Sequence, residues 1–230
     1  MNYTNKYLNY IPLNYTNTNN SNDYDCLKIG MKAPNFNSIS THGDFSISDF
    51  KGKWCILFSY LGDFSPVSIT EFLSFQKFNT EFNKRNCYLI GTSIDSLSSH
   101  LAWLNNIHKT TGIKISFPII SDLDMKVANK YNMIATNTNY TYTNSCIYII
   151  DPNQVIRAIF NYPPTTGRCI PEILRILEAL QTTDANNYLT PANWIPSVPL
   201  ISPSPTSFDE LLEKQEKSNS IDWYLNFKNI

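Results

Sequence analysis

Hydrophobic residues alternate between short continuous runs and helical spacing from residue 27 to about residue 181. The runs 53–60 (KWCILFSY) and 87–94 (CYLIGTSI) have the length of strands buried on both faces. Between them, Pro66 suits a first helical turn, and phenylalanines follow it at helical spacing. The pattern therefore predicts a strand, a helix and a second strand in that order.

The same alternation continues along the chain. It predicts a helix over 96–112, a strand over 117–122, a β-hairpin over 145–162 and a helix over 170–181. Strands and helices mixed in this order predict an α/β fold, in which a central mixed sheet carries helices on both faces.

The two ends of the chain differ from this middle region. Residues 1–26 are rich in Asn, Thr and Tyr and lack hydrophobic periodicity. That composition is typical of a solvated tail. The recurring aromatic residues also allow a segment that docks on a neighbouring molecule, with the candidate contacts Tyr3, Tyr7 and Tyr10.

Residues 182–230 form the third predicted part, an arm that follows the 27–181 domain. Its first half is proline-rich and is expected to be extended. A short charged helix is predicted over 208–218. The arm carries apolar side chains that must be buried by the domain or by a second subunit, and the candidates for dimer contacts are Trp194, Trp223, Tyr224 and Phe227.

Charge and hydropathy exclude several classes of partner. The chain has 18 basic and 19 acidic residues and a net charge of −1, so neither nucleic acid nor an anionic membrane is an expected partner. No apolar run reaches the length of a membrane span. The first residues lack the layout of a signal peptide, and we therefore expect cytoplasmic synthesis.

The cysteines and histidines show no metal or disulfide pattern. The five cysteines have no paired spacing, and the three histidines are scattered. The sequence therefore predicts no disulfide framework, no metal and no cofactor.

Six segments, in this order, resemble the peroxiredoxin family. They are GMKAPNF, FKGKWCILFSYLGDFSPVS, TEFLSFQKF, SIDSLSSHLAWLNNI, YPPTTGR and TPANWIP, and the resemblance covers about residues 27 to 228. It is to the subgroup with one core cysteine and a long C-terminal arm. It implies a thioredoxin-like fold, reduction of hydrogen peroxide or organic hydroperoxides by a cysteine at the first turn of a helix, and dimers that often close into rings.

The resemblance also implies positions for the catalytic site, and several of them are substituted. Ser68 stands where the family has its peroxidatic cysteine, and Ser65 where it has a threonine that orients the peroxide. Glu71 and Arg168 are retained, whereas Ser145 replaces an arginine that lowers the pKa of the thiol.

Other positions of the motif differ as well. Leu61 replaces a proline, and Tyr60 replaces a histidine that some members carry. Asn226 and Ser220 stand where related long-arm members have cysteines.

These substitutions lead to two hypotheses. A serine hydroxyl is hardly ionised at neutral pH without a dedicated base. The first hypothesis is therefore an inactive homologue that serves as a self-assembling building block of a ring, filament or coat, incorporated into an extracellular or cell-surface assembly. The alternative is a thiol-dependent peroxidase, which is either a Cys-to-Ser form at Ser68 or uses another cysteine. Cys169 and Cys26 are the candidate reactive thiols.

Overall fold

The computed structural model describes residues 26–135, 141–215 and 220–228. The predicted contacts at Tyr3, Tyr7 and Tyr10 lie outside these residues. Within them, no helix combines the length and the apolar character needed to cross a bilayer.

A mixed sheet forms the centre of the molecule. Its strands are β1 (Asn37–Ser40), β2 (Gly43–Ser46), β3 (Trp54–Ser59), β4 (Cys87–Ser93), β5 (Ile119–Ser121), β6 (Ser145–Ile150) and β7 (Ile156–Tyr162). They lie side by side in the order β2-β1-β5-β4-β3-β6-β7. β3, β4 and β5 run parallel, and the remaining neighbours pair antiparallel.

Helices pack on both faces of this sheet. They are α1 (Pro66–Lys84), α2 (Leu97–Thr111), α3 (Lys126–Lys130) and α4 (Ile170–Asn186), whereas α5 (Phe208–Gln215) lies in the C-terminal arm. α1, α2 and α4 contribute to the hydrophobic cluster on one face, while α3 contributes to the cluster on the other. This is the predicted α/β architecture, and every residue of the central strand β3 is buried.

The C-terminal arm is more regular than its proline content predicts. It contains three short strands, β8 (Leu200–Ile201), β9 (Ser220–Asp222) and β10 (Leu225–Lys228), which form a second sheet in the order β8-β10-β9. Trp194 is 3% exposed and packs with residues of α4 and β8. The chain's own core therefore buries this part of the arm. The predicted bounds of the three parts, 1–26, 27–181 and 182–230, stay a prediction.

Candidate active site

The first turn of α1 lies at the carboxyl end of β3, where the sequence predicts the site. Ser65 is the N-cap residue, and its side chain makes no capping hydrogen bond. The first intrahelical bond runs from Ile69 N to Ser65 O at 3.1 Å. The N–H groups of the first turn therefore have no helical partner, and they give this end of α1 a partial positive charge. Ser68, in this turn, is 2% exposed.

A buried ion pair lies one turn further along α1. The Glu71 carboxylate accepts hydrogen bonds from Arg168 N and Arg168 Nε, both at 2.9 Å, and a third from Arg168 Nη2. The side chains of Arg168 and Glu71 are 0% and 2% exposed. A paired charge of this kind has the hydrogen bonds that burial requires.

Arg168 also joins the pair to the central sheet. Its Nη1 donates to the carbonyl oxygens of Ser59 at 2.8 Å and Cys146 at 3.3 Å. The guanidinium carbon lies 5.2 Å from the ring centre of Phe58 and 5.7 Å from that of Phe75. One side chain thus connects β3, α1 and β6 with the turn that precedes α4.

Ser145 lies at the start of β6, next to a carbonyl that Arg168 binds. It is 4% exposed, and the following residue, Cys146, belongs to the hydrophobic cluster on the other face of the sheet. Strand alternation predicts this division between neighbouring side chains. The Ser145 backbone is therefore close to the ion pair, while the Cys146 thiol is directed into the core.

The five cysteines separate into buried and exposed groups. Burial raises the pKa of the Cys146 thiol to about 11 and that of the Cys55 thiol to about 12. Burial also raises the pKa of the Cys87 thiol well above its usual value. Cys26 and Cys169 are exposed, and Cys169 is the N-cap residue of α4. The thiols of Cys26 and Cys169 therefore have the access to solvent that thiol chemistry requires.

A polar network, which sequence spacing does not predict, lies beneath the loop before α1. The Tyr60 hydroxyl donates to Asp63 Oδ1 at 2.8 Å and lies 3.2 Å from His100 Nδ1. Burial, followed by the nearby Asp63 charge, raises the pKa of Tyr60 well above its usual value. Trp103 stacks on Tyr60 with ring centres 5.4 Å apart, and His100 and Trp103 are both buried in the core.

Leu61, which follows Tyr60 in the chain, is half-buried. Asp63 and Asp95 were missed by the sequence analysis, although both lie in segments that carry the family resemblance.

The predicted contact residues of the arm lie apart from this site. Trp223 and Tyr224 meet edge to face with ring centres 5.4 Å apart, and Tyr224 is 53% exposed. Phe227 belongs to β10, and Asn226 beside it is 7% exposed. Ser220 begins β9. The structure therefore brings Ser65, Ser68, Glu71 and Arg168 into one region and leaves the arm residues elsewhere.

Comparisons with known proteins decide the family. The AhpC/TSA family matches residues 29–159, and the C-terminal domain of 1-Cys peroxiredoxin matches residues 179–218. This chain belongs to the peroxiredoxin family. It is 48% identical to peroxiredoxin 2 of Caldanaerobacter subterraneus subsp. tengcongensis, over 89% of this chain and 95% of that protein. It is 43% identical to a peroxiredoxin of Thermoplasma volcanium, over 86% and 97%.

Solved peroxiredoxin structures agree with the fold. A structure of yeast mitochondrial 1-Cys peroxiredoxin matches with a TM-score of 0.80 and 38% identity, over 89% of this chain and all of that one. A cysteine-to-serine mutant of peroxiredoxin 6 of Arenicola marina matches with a TM-score of 0.79 and 30% identity, over 88% and 98%. The predicted thioredoxin-like fold is confirmed.

The comparisons also correct the predicted function. The hypothesis of an inactive structural building block is wrong, because relatives that match nearly the whole length of the chain are named as peroxiredoxins. Peroxiredoxins are typically thiol peroxidases, and they commonly form homodimers and larger oligomers. Nothing in the described residues supports a filament or a coat. The findings favour the alternative hypothesis, a thiol-dependent peroxidase.

Proposed function

We propose that this chain is the Cys-to-Ser form, at Ser68, of a thiol-dependent peroxidase whose cysteine form reduces hydrogen peroxide or organic hydroperoxides. The observation that carries the proposal is the buried Glu71–Arg168 pair, one turn along α1 from Ser68. The pair fixes the helix that presents position 68, and it supplies a guanidinium to the same region.

The reaction explains why position 68 requires a thiol. A thiolate attacks one peroxide oxygen, the O–O bond breaks, and the product is a sulfenic acid with release of water or an alcohol. A thiolate is stabilised at a helix N-terminus, where the partial charge is positive. The hydroxyl of Ser68 is hardly ionised at neutral pH and has no corresponding oxidised forms. In this proposal Ser68 therefore occupies the position of the attacking thiol but cannot act as the nucleophile.

The neighbouring positions have proposed roles in the same step. In this proposal the Ser65 hydroxyl, at the N-cap of α1, hydrogen-bonds a peroxide oxygen. Arg168 fixes Glu71 and with it the first turns of α1. Ser145 leaves the site one guanidinium short of the family pattern, so a thiol at position 68 lacks one of the charges that lower its pKa.

The experiment measures peroxide consumption by the Ser68→Cys variant with dithiothreitol as reductant. We expect consumption that the original chain lacks, and a faster rate for Ser68→Cys with Ser145→Arg. Cys169→Ser is the matched control, because it removes an exposed thiol outside the first turn of α1. If neither position 68 variant is faster than the original chain, the proposal is wrong. If the original chain turns over and Cys169→Ser abolishes the activity, the nucleophile is Cys169 instead.

We also propose that the chain forms a homodimer, as peroxiredoxins commonly do. Large apolar side chains are exposed outside the arm, among them Phe64 at 58% and Leu123 at 65%. Contiguous apolar patches mark contacts between proteins, so the proposed dimer would bring such side chains together and bury them. Light scattering at micromolar concentration tests the proposal, and a mass of 26.4 kDa, that of one chain, would contradict it.

A further inference from the structure

The loop between β3 and α1 contains a backbone conformation that its side chain disfavours. Phe64 has a φ of 61°, in the left-handed region. Glycine and asparagine adopt this region readily, whereas a bulky residue is an outlier there. Four of the other described non-glycine residues with a positive φ are asparagines, at positions 86, 132, 187 and 193. The backbone of Phe64 is therefore strained, and contacts around it must hold the conformation.

Phe64 lies in a tight turn that ends at the start of α1. The N–H of Ser65 donates to the carbonyl oxygen of Gly62 at 3.4 Å, so residues 62–65 form a four-residue turn. Phe64 is the third residue of this turn, where a positive φ favours glycine or asparagine. Packing of its own ring compensates little, because Phe64 is 58% exposed and its ring centre lies 6.5 Å from that of Trp103.

Asp63, the second residue of the turn, fastens it to the rest of the fold. Its carboxylate accepts a hydrogen bond from the Tyr60 hydroxyl at 2.8 Å, and both its oxygens lie 3.0 Å from His100 Nδ1. Its backbone N–H donates to Asp95 Oδ2 at 2.9 Å. The side chains of Asp63 and His100 are 2% and 0% exposed, so water does not compete for these contacts.

Two partners of Asp63 are themselves fixed by other elements. Asp95 Oδ2 also accepts from Ser93 Oγ at 2.7 Å, at the end of β4. His100 belongs to α2, and its Nε2 lies 3.2 Å from the carbonyl oxygen of Ile120 in β5. Through these two side chains, Asp63 connects the strained turn to β4, β5 and α2.

The turn sets the direction of the groups that face the proposed reaction. Ser65, its last residue, is the N-cap of α1, and its side chain makes no capping hydrogen bond. The directions of this hydroxyl and of the first N–H groups of α1 follow from the backbone of the turn. Position 68 lies in the first turn of α1, where these N–H groups stabilise an anion. A movement of the turn therefore displaces the groups that act on position 68.

From these contacts we propose that Asp63 is a positioning residue for the thiol reaction. Its buried carboxylate holds Phe64 in the left-handed conformation and so keeps the Ser65 hydroxyl and the start of α1 aligned with position 68. Backbone strain persists where the surrounding structure over-determines the conformation, and such strain clusters at active sites. Asp63 acts through the turn and not by contact with the substrate. This role rests on the proposed function, because it concerns the reaction at position 68.

The test compares variants of the Ser68→Cys chain. Asp63→Ala removes the carboxylate and should lower kcat/KM for hydrogen peroxide by about ten- to a hundredfold, because a misplacement of about 1 Å can cost about a hundredfold. It should also raise the pKa of the thiol at position 68, because the helix N–H groups are no longer aligned with it. The pKa is measured from the ultraviolet absorbance of the thiolate, as the difference from the same chain with serine at position 68. Asp44→Ala changes an exposed carboxylate of β2 and should alter neither quantity.

A second substitution tests whether Asp63 acts through Phe64. Phe64→Asn places a residue that tolerates a positive φ at the strained position. Added to Asp63→Ala, it should recover most of the lost kcat/KM and return the thiol pKa towards that of Ser68→Cys. Phe64→Asn alone completes the double-mutant cycle. Asp63→Asn keeps an acceptor oxygen for the Tyr60 hydroxyl and should retain more activity than Asp63→Ala.

Circular dichroism verifies that each variant is folded. If Asp63→Ala does not fold, Tyr60→Phe takes its place, because it removes one hydrogen bond to the Asp63 carboxylate and keeps the ring. We expect the same two changes, smaller in size, and the same recovery with Phe64→Asn.

Two results would overturn the proposal. The first is a folded Asp63→Ala variant with the kcat/KM and the thiol pKa of Ser68→Cys. The second is an equal loss with and without Phe64→Asn, which would show that Asp63 does not act through the turn. If Ser68→Cys consumes no peroxide, the proposed function fails, whereas the pKa of the thiol still tests the role of Asp63.

Discussion

Replacing Arg168 with methionine tests whether the buried ion pair holds the site together. Methionine retains an unbranched apolar chain but removes the charge and the side-chain donors. In the variant, the Glu71 carboxylate keeps one of its three donors, the N–H of residue 168. The carbonyls of Ser59 and Cys146 each lose a hydrogen bond. Because removal of one partner of a buried pair costs about 3–5 kcal/mol, we expect the free energy of unfolding to fall by that amount.

The assay is urea denaturation followed by circular dichroism, with the midpoint and slope fitted for each variant. Lys84→Met is the matched control, because Lys84 is paired with Glu81 on the surface and is 64% exposed. Ion pairs spaced i,i+3 on a helix surface contribute about 0.2–0.5 kcal/mol, so the control should change stability little.

A double-mutant cycle separates the pair from general damage. Glu71→Met combined with Arg168→Met removes both buried charges, so it should cost less than the sum of the two single variants. The reasoning is refuted if Arg168→Met costs under about 1 kcal/mol. It is also refuted if the two single losses simply add, since the charges would then not be compensating each other.

Three further predictions follow from burial. In the native protein, Ellman's reagent should react quickly with two thiols per chain, those of Cys26 and Cys169. In denaturant it should react with all five cysteines. A third fast-reacting thiol in the native protein would contradict the burial of the other cysteines. Because the folded-state pKa of Cys55 is raised from 9.0 to about 12, its neutral form stabilises the fold below pH 9 and that contribution is lost as pH rises towards 12. Urea titrations should therefore show Cys55→Ala losing less stability than the parent between pH 9 and 11, and equal losses would argue against this. Gly91→Ala should lower the unfolding free energy by about 1–3 kcal/mol, because its Cβ would meet two phenylalanine rings at 3.3 and 3.4 Å; an unchanged midpoint would mean that the rings move aside.

The strands and helices of the core could be predicted because their patterns are local. β3 and β4 are continuous apolar runs, and both are buried nearly throughout. The predicted end of α2 near Gly112 is confirmed, since this glycine has a φ of 74° in the left-handed region. In each case, residues close together in the chain contain the whole signal.

Other elements lack such a signal. β1 and β2 are four residues each, carry mostly polar side chains and lie at the edge of the sheet. α3 has five residues, too few for a helical period to show. Their existence depends on pairing with β5 and on packing against the sheet, which are contacts between distant parts of the chain.

The site shows the same division between local and distant information. Ser65, Ser68 and Glu71 lie within two turns of one another, and the predicted helix start at Pro66 is confirmed. The partner of Glu71 is 97 residues away, and spacing alone does not identify it. The resemblance to a family supplied Arg168 as a candidate, whereas the structure supplies its hydrogen bonds.

The retained Glu71–Arg168 pair affects the stability of the fold, whereas the serine at position 68 affects the chemistry. Glu71 and Arg168 connect four segments of the fold, so selection for stability alone is sufficient to retain them. None of the hydrogen bonds of the buried pair involves Ser68, so we expect a change there to affect the chemistry more than the pair. The effect of Arg168→Met on the free energy of unfolding therefore measures how far the buried pair stabilises the fold. The peroxide consumption of Ser68→Cys measures whether the site supports the reaction. A stable Ser68→Cys variant that turns over only when Ser145→Arg is added would place the deficit at Ser145, because the scaffold would then be intact and one guanidinium would have been missing.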